Sequence, residues 1–328
     1  MPDEIRPLKE SEFIVWDALV DNSAYGTLFH KSSWLKACGR RFTIYGYFKN
    51  KDLLAGVPLV YRTILGFKRA SQPALTPYSG IIFRKQDLKY VKRISREKDV
   101  LCSFAKRLKN EYHSCTFRFA PGAIDLQPFI WEGYYIVVSY TYMINLNNSL
   151  ADIWSSMEDT RRNDIRKAEK DGIMIDISDN FEQAFCLVEK TYTRQKRKAT
   201  FKSSAFNYYD VLKKKNQCKC FFAKDINHEP IAVVFIIWDN KRCYYLLGGY
   251  DSDKSHHGAS ALAMWEAMKF AKIELGVSEF DFEGSMVRPI ERFFRKFGGE
   301  QIPLYSVSWE NSIIKNLRKI YHNYLRYR

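Results

Sequence analysis

Three short apolar runs, CKCFFA (218–223), IAVVFIIW (231–238) and CYYLL (243–247), follow one another with only KDINHEP and DNKR between them, which hold the turn-forming NHEP and DNK. Runs of that length, rich in aromatic and β-branched residues and broken by Asn, Asp and Pro, form strands, and connections this short join antiparallel neighbours. A polar loop, GGYDSDKSHHGAS (248–260), then leads into a helix rich in small residues over 259–274. After it come a strand, SEFDFEG (278–284), a helix over 289–297, and a strand, PLYSVSW (303–309). This half of the chain is therefore an antiparallel meander followed by a helical crossover, which can return the next strand parallel to the sheet.

The preceding residues alternate helix and strand signals. Helical patterns lie around Ser11–Val20 and Ser32–Cys38, the second with Ser32 and Ser33 as N-cap candidates. RFTIYGYFK (41–49) and LLAGVPLVYRTI (53–64) read as a hairpin turning at Asn50-Lys51-Asp52, a charged helix occupies 86–110, and SCTFRFA and YYIVVSYTYMINL return to strand. From Leu150 a helical pattern runs through Ile153, Trp154 and Met157 to a terminating Gly172, and FEQAFCLVEKTYTRQ (181–195) is a further amphipathic helix. A chain of 328 residues holds two cores, with the boundary expected near 148–150. The expected domains are 1–148 and 149–310, with 311–328 a basic surface helix. The class is α+β, each domain a mostly antiparallel mixed sheet flanked by helices.

The formal net charge of +15 is concentrated in KTYTRQKRKATFK (190–202), KKK (213–215) and the C-terminal segment. Such a field attracts polyanions: a phosphorylated cofactor, a nucleic acid or a lipid headgroup, unless the cations are only solvated helix faces. The N-terminus has no apolar signal region, and the longest apolar run is too short to span a bilayer. Seven scattered cysteines do not form a disulfide framework, so a reducing cytoplasm is expected, with basic patches available for contact with the inner face of a membrane. Cys218 and Cys220, two apart on a strand, pack on one face, and with His228 they fall short of a zinc set.

The words YYLLGGYDSDKSHHGASALAMWEAMKFAKIELGVSEFDFEGSMVRPIERFFRKFGG resemble the C-terminal signature of the GNAT-related family that includes the Fem-type peptidoglycan aminoacyl transferases. RRNDIRKAEKDGI is similar to the helix that opens that family's second domain, and GTLFHKSSWLKA and LLAGVPLVYR are similar to its N-terminal domain. The resemblance covers nearly the whole chain and implies two GNAT-type domains in tandem, acting by acyl or aminoacyl transfer. It also implies splayed central strands and a donor site at the loop before the helix, where main-chain N–H groups and the helix dipole hold the pyrophosphate of CoA.

On that resemblance the donor site comprises Gly249, Lys254, Ser255, His256, His257, Gly258, Ala259 and Ser260. The usual Arg/Gln-x-x-Gly-x-Gly/Ala pattern is kept only at Gly258, and an ordinary strand-to-helix turn is the alternative reading. Strand alternation in EFDFEGS puts Asp281 and Glu283 opposite Phe280 and Phe282. Two neighbouring carboxylates raise one pKa, so Glu283, then Asp281, are candidate general bases; pairing with Arg288 or Arg292 is the structural alternative. Where many GNAT enzymes carry a tyrosine acid, this chain has Phe294, and Arg295, Lys296, Tyr305 or Ser285 are the available substitutes. Tyr192, Arg194 and Gln195 are expected at the acceptor, where an arginine suits a carboxylate or phosphate. His30 and Trp34 resemble family positions but are expected to pack.

The expected activity is N-acyl transfer from acyl-CoA, acetyl-CoA foremost, to an amino group of a cell-envelope or polysaccharide precursor, without a metal and as a monomer. The alternatives are an aminoacyl-tRNA-dependent transferase acting on peptidoglycan precursor, and a non-catalytic GNAT scaffold that binds anions or nucleic acid.

Overall fold

Asn50 and Lys51 both take left-handed backbone (φ 50° and 72°), the conformation a two-residue turn needs to match the twist of its flanking strands. They join β2 (Phe42–Lys49) to β3 (Asp52–Ile64), the longest hairpin of a computed structural model that describes residues 3–123, 125–254 and 256–316. The chain divides into two units, residues 1–138 with 304–328, and 139–303.

In the first unit β1 (Glu4–Pro7), β2, β3, β4 (Phe67–Ser71), β6 (Ser114–Arg118) and the end of β13 (Glu300–Glu310) are ordered along one sheet. Farther along β3, the short β5 (Ile82–Phe83) pairs at Ala55 and Gly56. All these pairs are antiparallel except β4 with β6. The helices are α1 (Phe13–Asn22), α2 (Ser32–Ala37), α3 (Tyr90–Glu111) and α4 (Gln127–Trp131). Val100, Leu101, Phe104, Ala105 and Leu108 form the buried stripe of α3, spaced as a helix facing a sheet requires. Ser32 is the first residue of α2 and not its cap: its hydroxyl and N–H both donate to the Asp17 carboxylate, at 2.6 and 2.8 Å. His30 and Trp34 are buried, and Trp34 donates to Thr76 Oγ1 at 2.9 Å.

The second unit orders β7 (Tyr135–Asn145), β12 (Glu279–Asp281), β11 (Arg242–Tyr250), β10 (Pro230–Trp238), β9 (Cys218–Lys224) and β8 (Met174–Ser178). The expected meander is β9–β10–β11, and the uninterrupted apolar run of β10 is explained by burial of both its faces. The helices are α5 (Leu150–Ser156), α6 (Asp159–Lys170), α7 (Phe181–Arg194), α8 (Lys202–Lys214), α9 (Ala259–Ile273) and α10 (Arg288–Arg295). The long helical pattern from Leu150 is two helices, broken at Met157 and Glu158. Helix α8 and strand β8 were not expected; Ala205, Tyr208, Tyr209 and Leu212 give α8 a buried face among its lysines. Cys218 and Cys220 are buried on β9, and burial pushes the Cys218 thiol up to about 12.

The division between units falls within β7, at Val138–Ser139, where the sequence suggested 148–150. Residues 143–145 pair with β12, whereas Ser306–Glu310 of β13 pair with β6. Long-range strand pairing, which local periodicity does not encode, thus assigns residues from Leu304 to the first unit. Of the basic segment 311–328, residues 317–328 lie outside the described residues.

His30 supplies a pH-dependent test of the first unit's core. Its Nδ1 lies 2.8 Å from Thr27 Oγ1 and its Nε2 3.2 Å from Gly80 O, so the neutral ring donates from Nε2 and accepts the threonine hydroxyl at Nδ1. Burial lowers its pKa to about 4 from 6.5. Between those values the unfolded chain binds the proton and the folded chain does not, so stability falls as pH drops through that window. The expected loss is up to about 3 kcal/mol, read by urea denaturation between pH 7 and 4. His30→Gln should flatten that window relative to the parent.

Candidate active site

Strands β11 and β12 run parallel for only three residue pairs, ending at Tyr244 opposite Asp281, while β11 continues to Tyr250. The register of β10 and β11 shifts between Phe235 and Ile236 so that Leu246 is extra, a bulge that bends β11 where pairing stops. The other wall turns because of Asp281. This fully buried carboxylate accepts from Thr141 Oγ1 and from the Glu283 main-chain N–H, both at 2.8 Å to Oδ1. The second bond is an Asx-type turn, which gives the main chain a partner outside the sheet and ends the strand. Glu283 (φ 57°) and Gly284 (φ 74°) follow in left-handed conformation. Glycine is required at 284, because a Cβ would come under 3.0 Å from Tyr140 O.

The two carboxylates therefore do different things. Alternation along a strand would aim Asp281 and Glu283 to one side, but β12 has ended before Glu283 is reached. Asp281 is held by Thr141 and by the turn it makes, which suits positioning. Glu283 Oε1 is shielded from solvent, and its carboxylate acts electrostatically on Tyr245. Burial first, then Glu283 and Tyr192, push the Tyr245 ionisation far up, so this hydroxyl stays protonated. Glu283 and Tyr192 thus lie close enough to Tyr245 to act on its hydroxyl electrostatically.

Tyr245 is the residue that sequence reasoning missed. Its ring meets Phe294 edge-on at 5.6 Å between centroids, so a hydroxyl absent from α10 is supplied by the ring packed against it. The available signal was the glycine pair after CYYLL: a Cβ at Gly248 would come under 3.0 Å from Tyr245 Oη. Gly249 serves a different contact, since its Cα faces the α7 backbone at Leu187 and Val188.

Helix α7 is laid along the end of β11. Thr191 Oγ1 accepts the Tyr250 N–H at 3.0 Å, Lys190 Nζ lies 2.5 Å from Asp251 Oδ2, and the Arg194 guanidinium sits 4.1 Å above the Tyr250 ring. Tyr192 and Arg194 are thereby brought to this end of the strand, while Gln195 is exposed at the C-cap of α7.

The loop into α9 is tied to α6. His256 Nε2 is 2.9 Å from Asp171 Oδ2, and its Nδ1 accepts the Gly258 N–H at 3.1 Å, which puts the ring proton on Nε2. Hydrogen bonds from Lys167 and His256 lower the Asp171 carboxyl to about 2. His257 stacks on His256 with Nε2 3.9 Å from Asp164 Oδ1, and Lys254 lies 3.9 Å from Glu229. Gly258 has ordinary negative φ; a Cβ there would come under 3.0 Å from Asp164 O, so glycine allows α9 to close on α6. Ala259 and Ser260 form the first turn of α9, Ala259 buried and Ser260 half-buried. Ser255 lies outside the described residues.

The remaining candidates surround α10. Ser285 Oγ accepts the Val287 N–H at 3.1 Å, just before the helix. Arg295 is exposed, with Nε 3.5 Å from Glu291 Oε1. Lys296 is engaged by Glu158 at 2.9 Å, and Tyr305 belongs to the first unit.

Because an added methyl at Gly248 must displace the Tyr245 ring, Gly248→Ala should destabilise the protein by about 1–3 kcal/mol, the range for overpacking a filled site. The double variant Gly248→Ala/Tyr245→Ala, measured by urea denaturation against Tyr245→Ala alone, should recover most of that loss.

Comparison with known proteins bears on the fold that carries these residues. Residues 155–295 match the model of the acetyltransferase (GNAT) domain. No curated protein matches the sequence significantly. The structure is similar to that of FemX, with a TM-score of 0.70 and 14% identity over 92% of this chain and 96% of that one. It is also similar to L-PGS from Bacillus licheniformis (TM-score 0.56, 14% identity, 93% of each chain). A tandem GNAT protein from the clavulanic acid biosynthesis pathway matches at a TM-score of 0.56 and 8% identity, over 95% of this chain and 100% of that one. What is shared at these identities is the fold. The chain thus has the tandem-GNAT fold of Fem-like proteins, and residues 155–295 match the GNAT acetyltransferase domain.

Proposed function

We propose that the protein transfers an acyl group from acyl-CoA, acetyl-CoA foremost, to an amino group on a cell-envelope or polysaccharide precursor. The observation that carries this reading is the opening after Tyr244 and Asp281, with Glu283 and the protonated Tyr245 beside it. Direct transfer needs the attacking amine to lose a proton and the leaving group to gain one. Glu283 takes the amine proton as nitrogen bonds to the acyl carbon. When the tetrahedral intermediate collapses and the carbon–sulfur bond breaks, the Tyr245 hydroxyl donates a hydrogen bond to the departing thiolate, which takes its proton from water. The donor's pyrophosphate lies at the first turn of α9, where main-chain N–H groups and Lys254 supply positive charge. The acceptor approaches past Tyr192 and Arg194, with Ser285, Gln195 and Arg295 at the margin.

The FemX likeness supports a second donor, aminoacyl-tRNA, for which the cations of 190–202 are suited. Calorimetric titration with acetyl-CoA separates the two. One-to-one binding that persists in moderate salt is expected, and its absence at millimolar ligand overturns the CoA reading. With a matched substrate pair, Glu283→Gln and Tyr245→Phe should each lower kcat by about 10²–10⁴-fold while leaving acetyl-CoA affinity nearly unchanged. Full turnover in Glu283→Gln excludes its assignment as the base.

A further inference from the structure

The first unit repeats the strand–loop–helix arrangement that carries the proposed donor site in the second. There β11 precedes α9 and is parallel to β12, the strand after it; here β5 leads through residues 84–89 into α3, and β6, the strand after the helix, is parallel to β4. A cavity of about 140 Å³ lies at this second junction. It is lined by the apolar Leu54, Phe83 and Val100 and by Arg84, Lys85, Arg93 and Arg96, of which Arg96 is half-buried and the other three are exposed. Four cations face a single lining carboxylate, Glu97.

The ion pairing leaves most of that charge uncompensated. Arg93 Nε is 4.0 Å from Glu97 Oε1, the outer limit of a salt bridge. Arg96, half-buried, donates to the neutral Gln86 side chain. Among the described residues Arg84, Lys85 and Arg96 form no ion pair. Burial raises the pKa of Glu97. The Tyr25 hydroxyl, also lining the cavity, is raised by burial and by Glu97 and so remains a hydrogen-bond donor. Guanidinium groups around a partly enclosed space bind planar or tetrahedral oxyanions through paired N–H donors, more strongly than they would in open water.

We propose that this cavity is an anion site of the first unit, and that its ligand is a phosphate monoester with a small apolar group. Arg84, Arg93 and Arg96 hold the phosphate, Tyr25 donates to it, and the apolar group rests on Leu54, Phe83 and Val100. A groove lined by Val15, Leu19 and Leu53 shares Arg84 and Lys85 with the cavity and extends the surface available to a longer ester. The site is separate from Glu283 and Tyr245, so its failure and that of the acyltransferase reading are independent.

The test is calorimetric titration of the full chain with phenyl phosphate, with phenol as the uncharged control. Saturable binding of phenyl phosphate but not phenol is expected. Arg96→Gln should weaken it at least about tenfold, while Glu97→Gln, nearly isosteric, should tighten it about threefold by removing the opposing charge. Opposite shifts from neighbours one residue apart are not produced by general loosening, and unchanged melting temperatures confirm folding. Affinity unaffected by both variants, or weakened by both, overturns the proposal. Sedimentation with phosphatidic acid vesicles distinguishes the source of the phosphate. Sedimentation lost in Arg96→Gln assigns a lipid phosphate, and no sedimentation alongside phenyl phosphate binding assigns a soluble ester.

Discussion

A buried carboxylate must either find donors or give up its charge, and Asp281 finds them in the Thr141 hydroxyl and the Glu283 N–H. Charge-assisted bonds of this kind are worth about 1.5–3 kcal/mol each when made, and the unsatisfied group costs as much again when they are not. The structure therefore has strong reason to keep the turn. Keeping it means that β12 stops after three residues, that β11 has no parallel neighbour beyond Tyr244, and that Glu283 is delivered to the opening in a left-handed conformation. The carboxylate whose Oδ1 accepts both of these bonds is thus what sets the position of the second carboxylate.

Near α10 the hydroxyl is carried by the strand and not by the helix. Phe294 is part of the second unit's core, packed against Phe282 at 5.0 Å and against Tyr245 at 5.6 Å. A tyrosine facing it from β11 occupies the same neighbourhood with the opposite division of labour: the helix contributes apolar surface and the strand the polar tip. Room for that tip comes from Gly248, so the first glycine of the Gly-Gly pair serves the tyrosine and the second the close approach of α7.

Much of the fold was legible because its strongest elements are locally consistent. The meander, the Asn50-Lys51 turn, α3 and α9 each combine the right period with the right punctuation. Strand β8 was hidden because its five residues, MIDIS, are only half-buried at a sheet edge, and their alternation spans just four positions. Helix α8 was hidden by its lysines. Asp281 and Glu283 stood out by type, but their division of roles depends on a backbone sign change that no residue pattern reports. Gly258 was identified by its place before a helix, and the contact that requires glycine is with Asp164, some ninety residues earlier in the chain. Tyr245 was obscured by an ordinary apolar strand, since the bulge at Leu246 alters which positions share a face.

The chain leaves the first unit within β7 and re-enters it within β13, so the second unit is in effect an insertion between two strands of the first. Ser306–Glu310 pair with Ser114–Arg118, strands nearly two hundred residues apart. On the ribosome the second unit is complete once its own contiguous residues have emerged, but the first must wait for β13, which is synthesised after the whole of the second unit. Until then the β6 edge is open and its apolar face incomplete, the kind of exposed surface on which growing chains associate wrongly. The order of synthesis is thus the reverse of the order of folding: the half that begins first is the half that closes last.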